Sequence, residues 1–181
     1  MCVKYGLGEE GKPGRFGIGG WGQTGKLITP SLTFENGATG FYLFANQRLW
    51  YQHPNLDASG LGSYLQFGYT DANSTAVKNY VGAGLTGIGL VPGRPADTIN
   101  FGLARSGLND TPGAGEFFSP GISSNSADLR ASELMFQAAY QMNIVYYALS
   151  AVAAYSYIPN PGMRPGLPAA HALTARIIVL F

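Results

Sequence analysis

The side chains of this sequence that could hydrogen-bond a solute lie in segments where polar and apolar residues alternate. Arg48 is the clearest example, because it falls in the segment 39–52 on the side opposite an apolar row. That row consists of Phe41, Leu43, Ala45, Leu49 and Tyr51, and Gln47 interrupts it. A period of two places successive residues on opposite faces of a β-strand. Because an arginine facing hydrocarbon near a bilayer midplane costs about 2–4 kcal/mol, we expect Arg48 to face water.

The same alternation assigns further polar side chains to a water-facing side. They are Asn46 beside Arg48, then Glu133, Gln137 and Gln141, and finally Arg176 near the end of the chain. Such groups can exchange water for the hydroxyl groups of a solute. Lys78 either points inward near a rim or is a solvated charge.

Three aromatic residues, Tyr42, Phe44 and Trp50, fall on the predicted side of Arg48. Either they offer a flat apolar surface to a solute, or they pack against an inward-folded loop. The predicted solute pathway comprises Tyr42, Phe44, Asn46, Arg48, Trp50, Glu133, Gln137 and Arg176.

Patterns typical of catalytic or cofactor sites have little support in this sequence. The run Gly17–Gly22 matches G-x-G-x-x-G, but no helix follows that could bind a phosphate at its N-terminus. The only histidines, His53 and His171, lie at predicted strand ends, where turn or interface roles are expected. The 10 Asp and Glu residues are scattered, and a single cysteine excludes a zinc site built from several cysteines. We therefore predict neither an enzyme nor a cofactor.

Strand-length segments separated by turn residues position these side chains. We predict eight strands, at 14–24, 39–52, 62–71, 77–89, 98–107, 129–141, 145–158 and 171–181. Soluble strands average about five or six residues, whereas a tilted membrane strand needs roughly 9–11. The last segment alternates and ends on Phe181, which is typical of an outer-membrane strand with an apolar row against lipid.

The composition favours a membrane-embedded sheet. Charged residues make up 12% of the chain, against about a quarter in ordinary soluble domains. Aromatic residues make up 13%, and there are 26 glycines. The most apolar run, 144–158, is shorter than the roughly 20 residues of a membrane-spanning helix. A net charge of +1 does not indicate a nucleic-acid partner. The N-terminus lacks a secretory signal, so an exported protein of this sequence would be a processed or truncated chain.

The lengths of the connections predict which end of the sheet faces outward. Outer-membrane barrels pair tight periplasmic turns with longer outer loops. We expect three long connections to lie outside, at 25–38, 108–128 and 159–170. The short connections at 90–97 and 142–144 would then be periplasmic. In the first of these, Arg94 and Asp97 are expected to form a pair that stabilises the turn.

Several short motifs support a comparison with a known family. They are Gly89–Thr98, reading Gly-Leu-Val-Pro-Gly-Arg-Pro-Ala-Asp-Thr, together with Gly60–Gly62, Tyr80–Leu85, Tyr157–Gly162 and the closing strand. From roughly Gly14 to Phe181, the sequence resembles the C-terminal half of the carbohydrate-selective porins (OprB family). The Pro-Gly-Arg-Pro-x-Asp-Thr segment is the most specific part of this resemblance.

The resemblance implies an all-β fold, an antiparallel transmembrane β-barrel. About eight strands here would be half of a sixteen-stranded outer-membrane porin. It also implies passive diffusion of glucose and other mono- or oligosaccharides. The partners would be these solutes, outer-membrane lipid and the missing N-terminal half of the barrel. The apolar segment Ala148–Ala154 departs from the family, which generally has polar lumen positions in its penultimate strand.

Two other interpretations remain open at this point. Eight strands can close into a self-contained barrel whose interior is filled by side chains, which would suit a structural or adhesive membrane protein without a pore. A soluble β-sandwich or lectin-like domain also has alternating strands, although the low charge content counts against it.

Overall fold

A computed structural model describes residues 1–7, 11–54, 56–109, 111, 113–118, 130–145, 148–162 and 166–180. In this part of the chain, nine strands form one antiparallel sheet. They are β1 (Cys2–Leu7), β2 (Lys12–Ile28), β3 (Phe34–Tyr51), β4 (Gly60–Thr70), β5 (Val77–Ile88), β6 (Thr98–Leu108), β7 (Ser132–Val145), β8 (Leu149–Ile158) and β9 (Ala170–Val179). A five-residue helix, α1 (Ala114–Phe118), lies between β6 and β7. Within these ranges, no helix is both long and apolar enough to span a membrane.

The strands follow one another across the sheet in chain order. Among the described residues, β1 and β9 each pair with a single neighbour, so both edges of the sheet are open. A self-contained barrel would require the first and last strands to pair, and a sandwich would require a second, packed sheet. The described part of the chain shows neither arrangement.

The predicted strands are all present, and the structure adds β1 before them. At six residues, β1 is shorter than the roughly 9–11 residues by which membrane strands are recognised. The predicted turn at 142–144 is wrong, because β7 continues to Val145. The final predicted strand corresponds to β9, whereas Phe181 lies outside the described residues.

The prediction of a long loop at 25–38 is also wrong, because β2 and β3 occupy most of it and only 29–33 connects them. Two glycines with positive φ lie in these paired arms, Gly25 at 120° and Gly37 at 80°. Glycine adopts such angles without a steric penalty, so pairing continues past an irregular register. The polar, glycine-rich sequence hid this continuation of the hairpin.

The register gives the sheet two chemically different faces. The apolar face carries Phe16, Ile18, Phe41, Leu43, Leu65, Phe67, Val81, Leu85, Phe101, Leu103, Phe136, Leu173 and Ile177. The polar face carries Lys4, Arg15, Asn46, Arg48, Gln66, Thr86, Asn100, Gln137, Gln141, Thr174 and Arg176. Leu173 is 83% exposed and Ile177 is 75% exposed. Arg105, toward the loop end of β6, is a charged residue on the same face. An exposed surface that is otherwise so largely apolar requires an apolar environment or a partner.

A β-bulge in β3 changes the face on which its last residues lie. The register shifts between Arg48 and Trp50, and Leu49 is the extra residue. The alternation restarts after such a bulge. Trp50 therefore lies on the apolar face, and Tyr51 lies on the polar face beside Arg48. The predictions that Trp50 shares the face of Arg48 and that Tyr51 belongs to the apolar row are wrong for this reason.

The connections define two ends of the sheet. We call one the loop end, where the connections are 29–33, 71–76, 109–131 and 159–169. We call the other the turn end, where the connections are 8–11, 52–59, 89–97 and 146–148.

Polar side chains tie two connections and the start of β3 together at the loop end. Asn109 is fully buried, and its amide group donates to the carbonyl oxygens of Asn73 at 2.5 Å and Thr75 at 3.0 Å. The Glu35 carboxylate accepts hydrogen bonds from the backbone N–H groups of Asn73 at 3.1 Å and Ser74 at 3.0 Å. These bonds satisfy backbone groups that the strand ladder leaves unpaired, and they hold the loop ends of β3 to β6 together.

A buried carboxylate organises the turn end. Asp97 is 3% exposed and accepts hydrogen bonds from Arg94 Nε at 2.7 Å, from the backbone N–H of Asn143 at 2.9 Å and from the Tyr140 hydroxyl. Burial raises the pKa of Asp97, but these hydrogen bonds outweigh burial and hold the pKa below its usual value. The Asp97 carboxylate in turn raises the pKa of Arg94. The connection 89–97 is thereby fastened to β7.

The two tryptophans provide a test of the face assignment. Trp21 lies on the polar face, where a Cβ on Gly40 would meet its ring, and Trp50 lies on the apolar face. We expect lipids brominated near the headgroup to quench the fluorescence of the Trp21→Phe variant, which retains Trp50. The Trp50→Phe variant should instead be quenched by aqueous acrylamide. Equal quenching of both variants by brominated lipid would contradict the register at the bulge.

Removal of the Asp97 charge should destabilise the fold. We expect Asp97→Asn to lower the free energy of unfolding by about 1–3 kcal/mol, since the three donors around this buried position lose a charged acceptor. Because the folded-state pKa is lowered, this stabilisation is present above the usual carboxylate pKa and is lost as the pH falls through the lowered value.

Urea unfolding in lipid vesicles between pH 7 and pH 3 checks this expectation. The wild type should lose stability relative to Asp97→Asn as the pH falls. Arg94→Gln and the double variant complete a double-mutant cycle with Asp97→Asn. The effects of the two single substitutions on the free energy of unfolding should be less than additive, because the two side chains contact each other. An identical pH profile for the wild type and Asp97→Asn would argue against the role assigned to this carboxylate.

Candidate functional site

A cleft of about 670 Å³ lies against β1 to β5, toward the turn end. The side chains that matter for its chemistry are Lys4, Arg15, Asn46, Arg48, Tyr64 and Gln66, all on the polar face. No carboxylate is among the residues that line it in the described part of the chain. Its volume falls within the range of roughly 300–1,000 Å³ that is common for small-molecule sites.

Cross-strand pairing brings two cations and an amide into one row. Lys4 on β1 lies directly opposite Arg15 on β2, and Arg15 lies directly opposite Asn46 on β3. With the Asn46 amide oxygen turned toward it, Arg15 Nε lies 2.9 Å from that oxygen. The Arg15 guanidinium carbon is 5.8 Å from the ring centroid of Phe44. The row therefore combines hydrogen-bond donors with an aromatic surface.

Arg48 lies two residues from Asn46 on the same face of β3. Its Nη2 donates to the carbonyl oxygen of Ala58, and its guanidinium lies 4.5 Å from the ring centroid of Tyr51. Its Nε is buried and has no hydrogen-bond partner among the described residues. The bulge after Arg48 is what places Tyr51 beneath this guanidinium. Arg48 is thus held at the turn-end edge of the cleft by the connection 52–59 and by Tyr51 on its own strand.

Two aromatic rings lie flat across glycines of the neighbouring strand. A Cβ atom on Gly17 would lie 2.6 Å from Cζ of Phe44, and one on Gly19 would lie 2.5 Å from Cζ of Tyr42. Only glycine leaves room for the rings at these positions. One side of each ring rests on the wall and the other faces outward, which leaves Tyr42 46% exposed.

Tyr64 repeats this arrangement over a greater width. A Cβ on Gly84 would lie 2.5 Å from its Cε1, and one on Gly102 would lie 2.6 Å from its hydroxyl oxygen. The side chain therefore extends from β4 across β5 to β6. Its cross-strand row continues to Gln137 on β7. An aromatic and amide surface thus spans the centre of the polar face.

The structure brings together some of the predicted residues and separates others. Tyr42, Phe44, Asn46 and Arg48 lie consecutively on the polar face of β3. Glu133, Gln137 and Arg176 share this face but lie farther across the sheet, on β7 and β9.

The partners of the separated residues differ. The Glu133 carboxylate accepts a hydrogen bond from the backbone N–H of Gly162 at 2.5 Å, so it lies at the loop end. Gln137 donates to the Ser156 hydroxyl at 3.0 Å. Arg176 lies near the turn end of β9. Glu133, Gln137 and Arg176 therefore lie in three different parts of the sheet, although they share one face.

Sequence reasoning missed Lys4, Arg15, Tyr64 and Gln66. The sequence does indicate the face of Arg15, because the apolar residues Phe16 and Ile18 lie one and three positions after it and therefore on the opposite face. The other three were not singled out, since β1 was not recognised and the residues of β4 carry no charge. Glycines on β5 and β6 leave room for a side chain from a neighbouring strand, and they were the sequence signal for the place where Tyr64 lies.

A second polar cluster belongs to the connection 52–59. His53 Nδ1 lies 3.2 Å from Asp57 Oδ2 and 3.1 Å from the Ser59 hydroxyl. Because one ring nitrogen faces both groups, this is not the relay of a hydrolase, in which serine and carboxylate contact opposite ring nitrogens. Hydrogen bonds from Ser59 lower the pKa of Asp57. The cluster stabilises its own turn. No group of side chains suited to a metal ion occurs among the described residues.

Comparisons with known proteins bear on the fold and the family of this chain. The family model for the carbohydrate-selective porin, OprB family, matches residues 5–174. The high-pH structure of Pseudomonas putida OprB superposes with a TM-score of 0.78 at 20% sequence identity. The match covers 97% of this chain and 46% of that chain, so this chain spans less than half of its relative. No curated protein sequence matches the chain.

The structural likeness, at this low identity, establishes the fold, and the family model establishes the family. The sheet has the all-β antiparallel fold of part of a porin barrel wall. The chain belongs to the carbohydrate-selective porins of the OprB family, a family of outer-membrane proteins.

Proposed function

We propose that this chain forms part of the wall of an outer-membrane channel through which mono- and oligosaccharides such as glucose diffuse passively. The observation that carries the proposal is the pairing of cations and amides with flat-lying aromatic rings on one face of the sheet. Sugars present hydroxyl groups at their edges and C–H groups on their ring faces. A lumen surface of this composition suits both.

Barrel closure is the first requirement of this proposal. Open edges at β1 and β9 need further strands, because unpaired backbone groups are costly in a bilayer. Coverage of 46% of Pseudomonas putida OprB supports a complementary wall of comparable size. We propose a closed barrel of about sixteen strands. Its apolar face contacts outer-membrane lipid, and the turn end with Arg94 and Asp97 faces the periplasm.

Passage then proceeds by exchange of hydrogen bonds. A hydroxyl group leaving water is received by Arg48 or Asn46, and the ring face slides over Tyr42 and Phe44. Farther along the wall, Gln137, Glu133 and Arg176 offer further partners. Each contact is weak and exchangeable, so a solute enters and leaves readily. No bond is made or broken in this process, and it needs no cofactor.

The aromatic contribution can be measured directly. The protein, expressed from the complete reading frame that contains these residues, is inserted into planar bilayers, and the block of its current by glucose or maltose is recorded. We expect Tyr42→Ala and Phe44→Ala together to weaken sugar block about three- to tenfold, in line with the 0.5–1.5 kcal/mol typical of an aromatic contact. The bare channel should conduct at least as well as the wild type.

Leu43→Ala is the matched control, because it truncates the residue between them on the apolar face. It should leave sugar block unchanged. Absence of a channel, or a channel whose current is indifferent to sugars, would refute the proposed function. Equal effects of the control and the double variant would refute the role of the two rings.

A further inference from the structure

The charges on the polar face are distributed unevenly between the two ends. Four cations lie in its turn-end half, on β1, β2, β3 and β9: Lys4, Arg15, Arg48 and Arg176. In the described strands, the carboxylates are Glu35 and Glu133, and both lie at the loop end. There each accepts hydrogen bonds from backbone N–H groups. In the turn-end half, the described strands therefore carry cations and no carboxylate.

The structure describes two carboxylates in the turn-end connections, Asp57 and Asp97, and each is hydrogen-bonded in or beside its own turn. Asp57 is hydrogen-bonded to Ser59 and His53 within its own turn. Asp97 is buried and paired with Arg94. Neither carboxylate is among the residues that line the cleft. The described part of the chain thus leaves the cleft cations without a carboxylate partner.

The closest arrangement of these cations favours a bound anion. Like charges directly opposite each other on adjacent strands repel, and Lys4 lies directly opposite Arg15. An oxyanion placed between them would convert this repulsion into two charge-assisted hydrogen bonds. Asn46 and the Phe44 ring lie immediately beside this point. Groups that suit the uncharged part of a sugar therefore adjoin groups that suit an oxyanion.

We propose that the cleft selects sugars that carry an oxyanion, a carboxylate or a phosphate, over their neutral counterparts. This inference rests on the proposed function, since it names the class of sugar that the same surface favours. The anionic group lies between Lys4 and Arg15, and the ring lies against Phe44, next to Asn46. Because these cations are exposed to water, the preference weakens with salt, as a Debye length of about 10 Å at 0.1 M requires.

Competition in proteoliposomes tests this preference. The protein from the complete reading frame takes up labelled glucose at low ionic strength, and unlabelled competitors are added. The critical comparison is glucuronate against its methyl ester, which has the same shape without the charge. We expect glucuronate to compete about three- to fivefold more strongly, as an exposed ion pair of roughly 1 kcal/mol allows. The difference should disappear in high salt.

Substitutions locate the effect. Arg15→Gln should bring the two competitors to equal strength, and Lys4→Gln provides a milder variant should the first disturb folding. Lys26→Gln is the control, because it removes the same charge from β2 but lies eleven residues from Arg15, about 35 Å at roughly 3.3 Å per residue. It should keep the wild-type preference.

The outcomes separate the two proposals. Absence of glucose uptake would refute the channel function and this inference with it. Uptake with equal competition by glucuronate and its ester would refute this inference alone. Retention of the preference in Arg15→Gln and Lys4→Gln, or its loss in Lys26→Gln, would refute the assigned site. Glucose 6-phosphate serves as a second competitor, and stronger competition than by glucuronate would identify phosphate as the favoured oxyanion.

Discussion

The register of one antiparallel sheet is the constraint on which every other feature of this chain depends. The wall is a single layer, so each strand meets a different environment on its two sides, and a slip of one residue would exchange them. The row that joins Lys4, Arg15 and Asn46 exists only because β1, β2 and β3 are held in that register. Side-chain burial contributes little to this precision, since the buried apolar residues among those described are small. The backbone hydrogen bonds and the networks at the two ends supply it instead.

Glycine has a role here that exceeds turn formation. Phe44 and Tyr42 lie across Gly17 and Gly19, so the absence of two side chains on β2 determines the orientation of two rings on β3. Flat rings reduce the thickness of the wall and leave their outer sides open to a solute. A ring standing upright would expose its edge and narrow any pore. The glycine content of the strands is therefore part of the chemistry of the polar face, and not only a relaxation of the backbone.

The sequence allowed eight of the nine strands and part of the polar face to be predicted, because both follow from alternation, which is a local signal. Arg48 and Asn46 lie where a period of two places them. Trp50 does not, since a bulge arises from pairing with β4, and nothing in the sequence of β3 alone marks Leu49 as the extra residue. The same limit applies to 25–38, where glycines that looked like loop residues support continued pairing. The contacts of Asp97 with β7 join residues more than forty positions apart, so only the fold reveals them.

The two ends of the sheet also explain why the polar face carries a net field. A hydrogen-bonded carboxylate at a turn stabilises the fold, but it contributes little charge to the lumen side because its partners surround it. Asp97, which is 3% exposed, is of this kind, whereas Arg15 and Arg48 stand on the strands between the turns. In the described part of the chain, Asp97 thus fastens a connection, whereas Lys4, Arg15 and Arg48 face the cleft. In a water-filled passage with low-dielectric walls, such a separation concentrates the field. Among the described residues, the fastening of the turn by Asp97 and the proposed preference for anions therefore follow from one feature, the placement of acidic residues outside the middle of the strands.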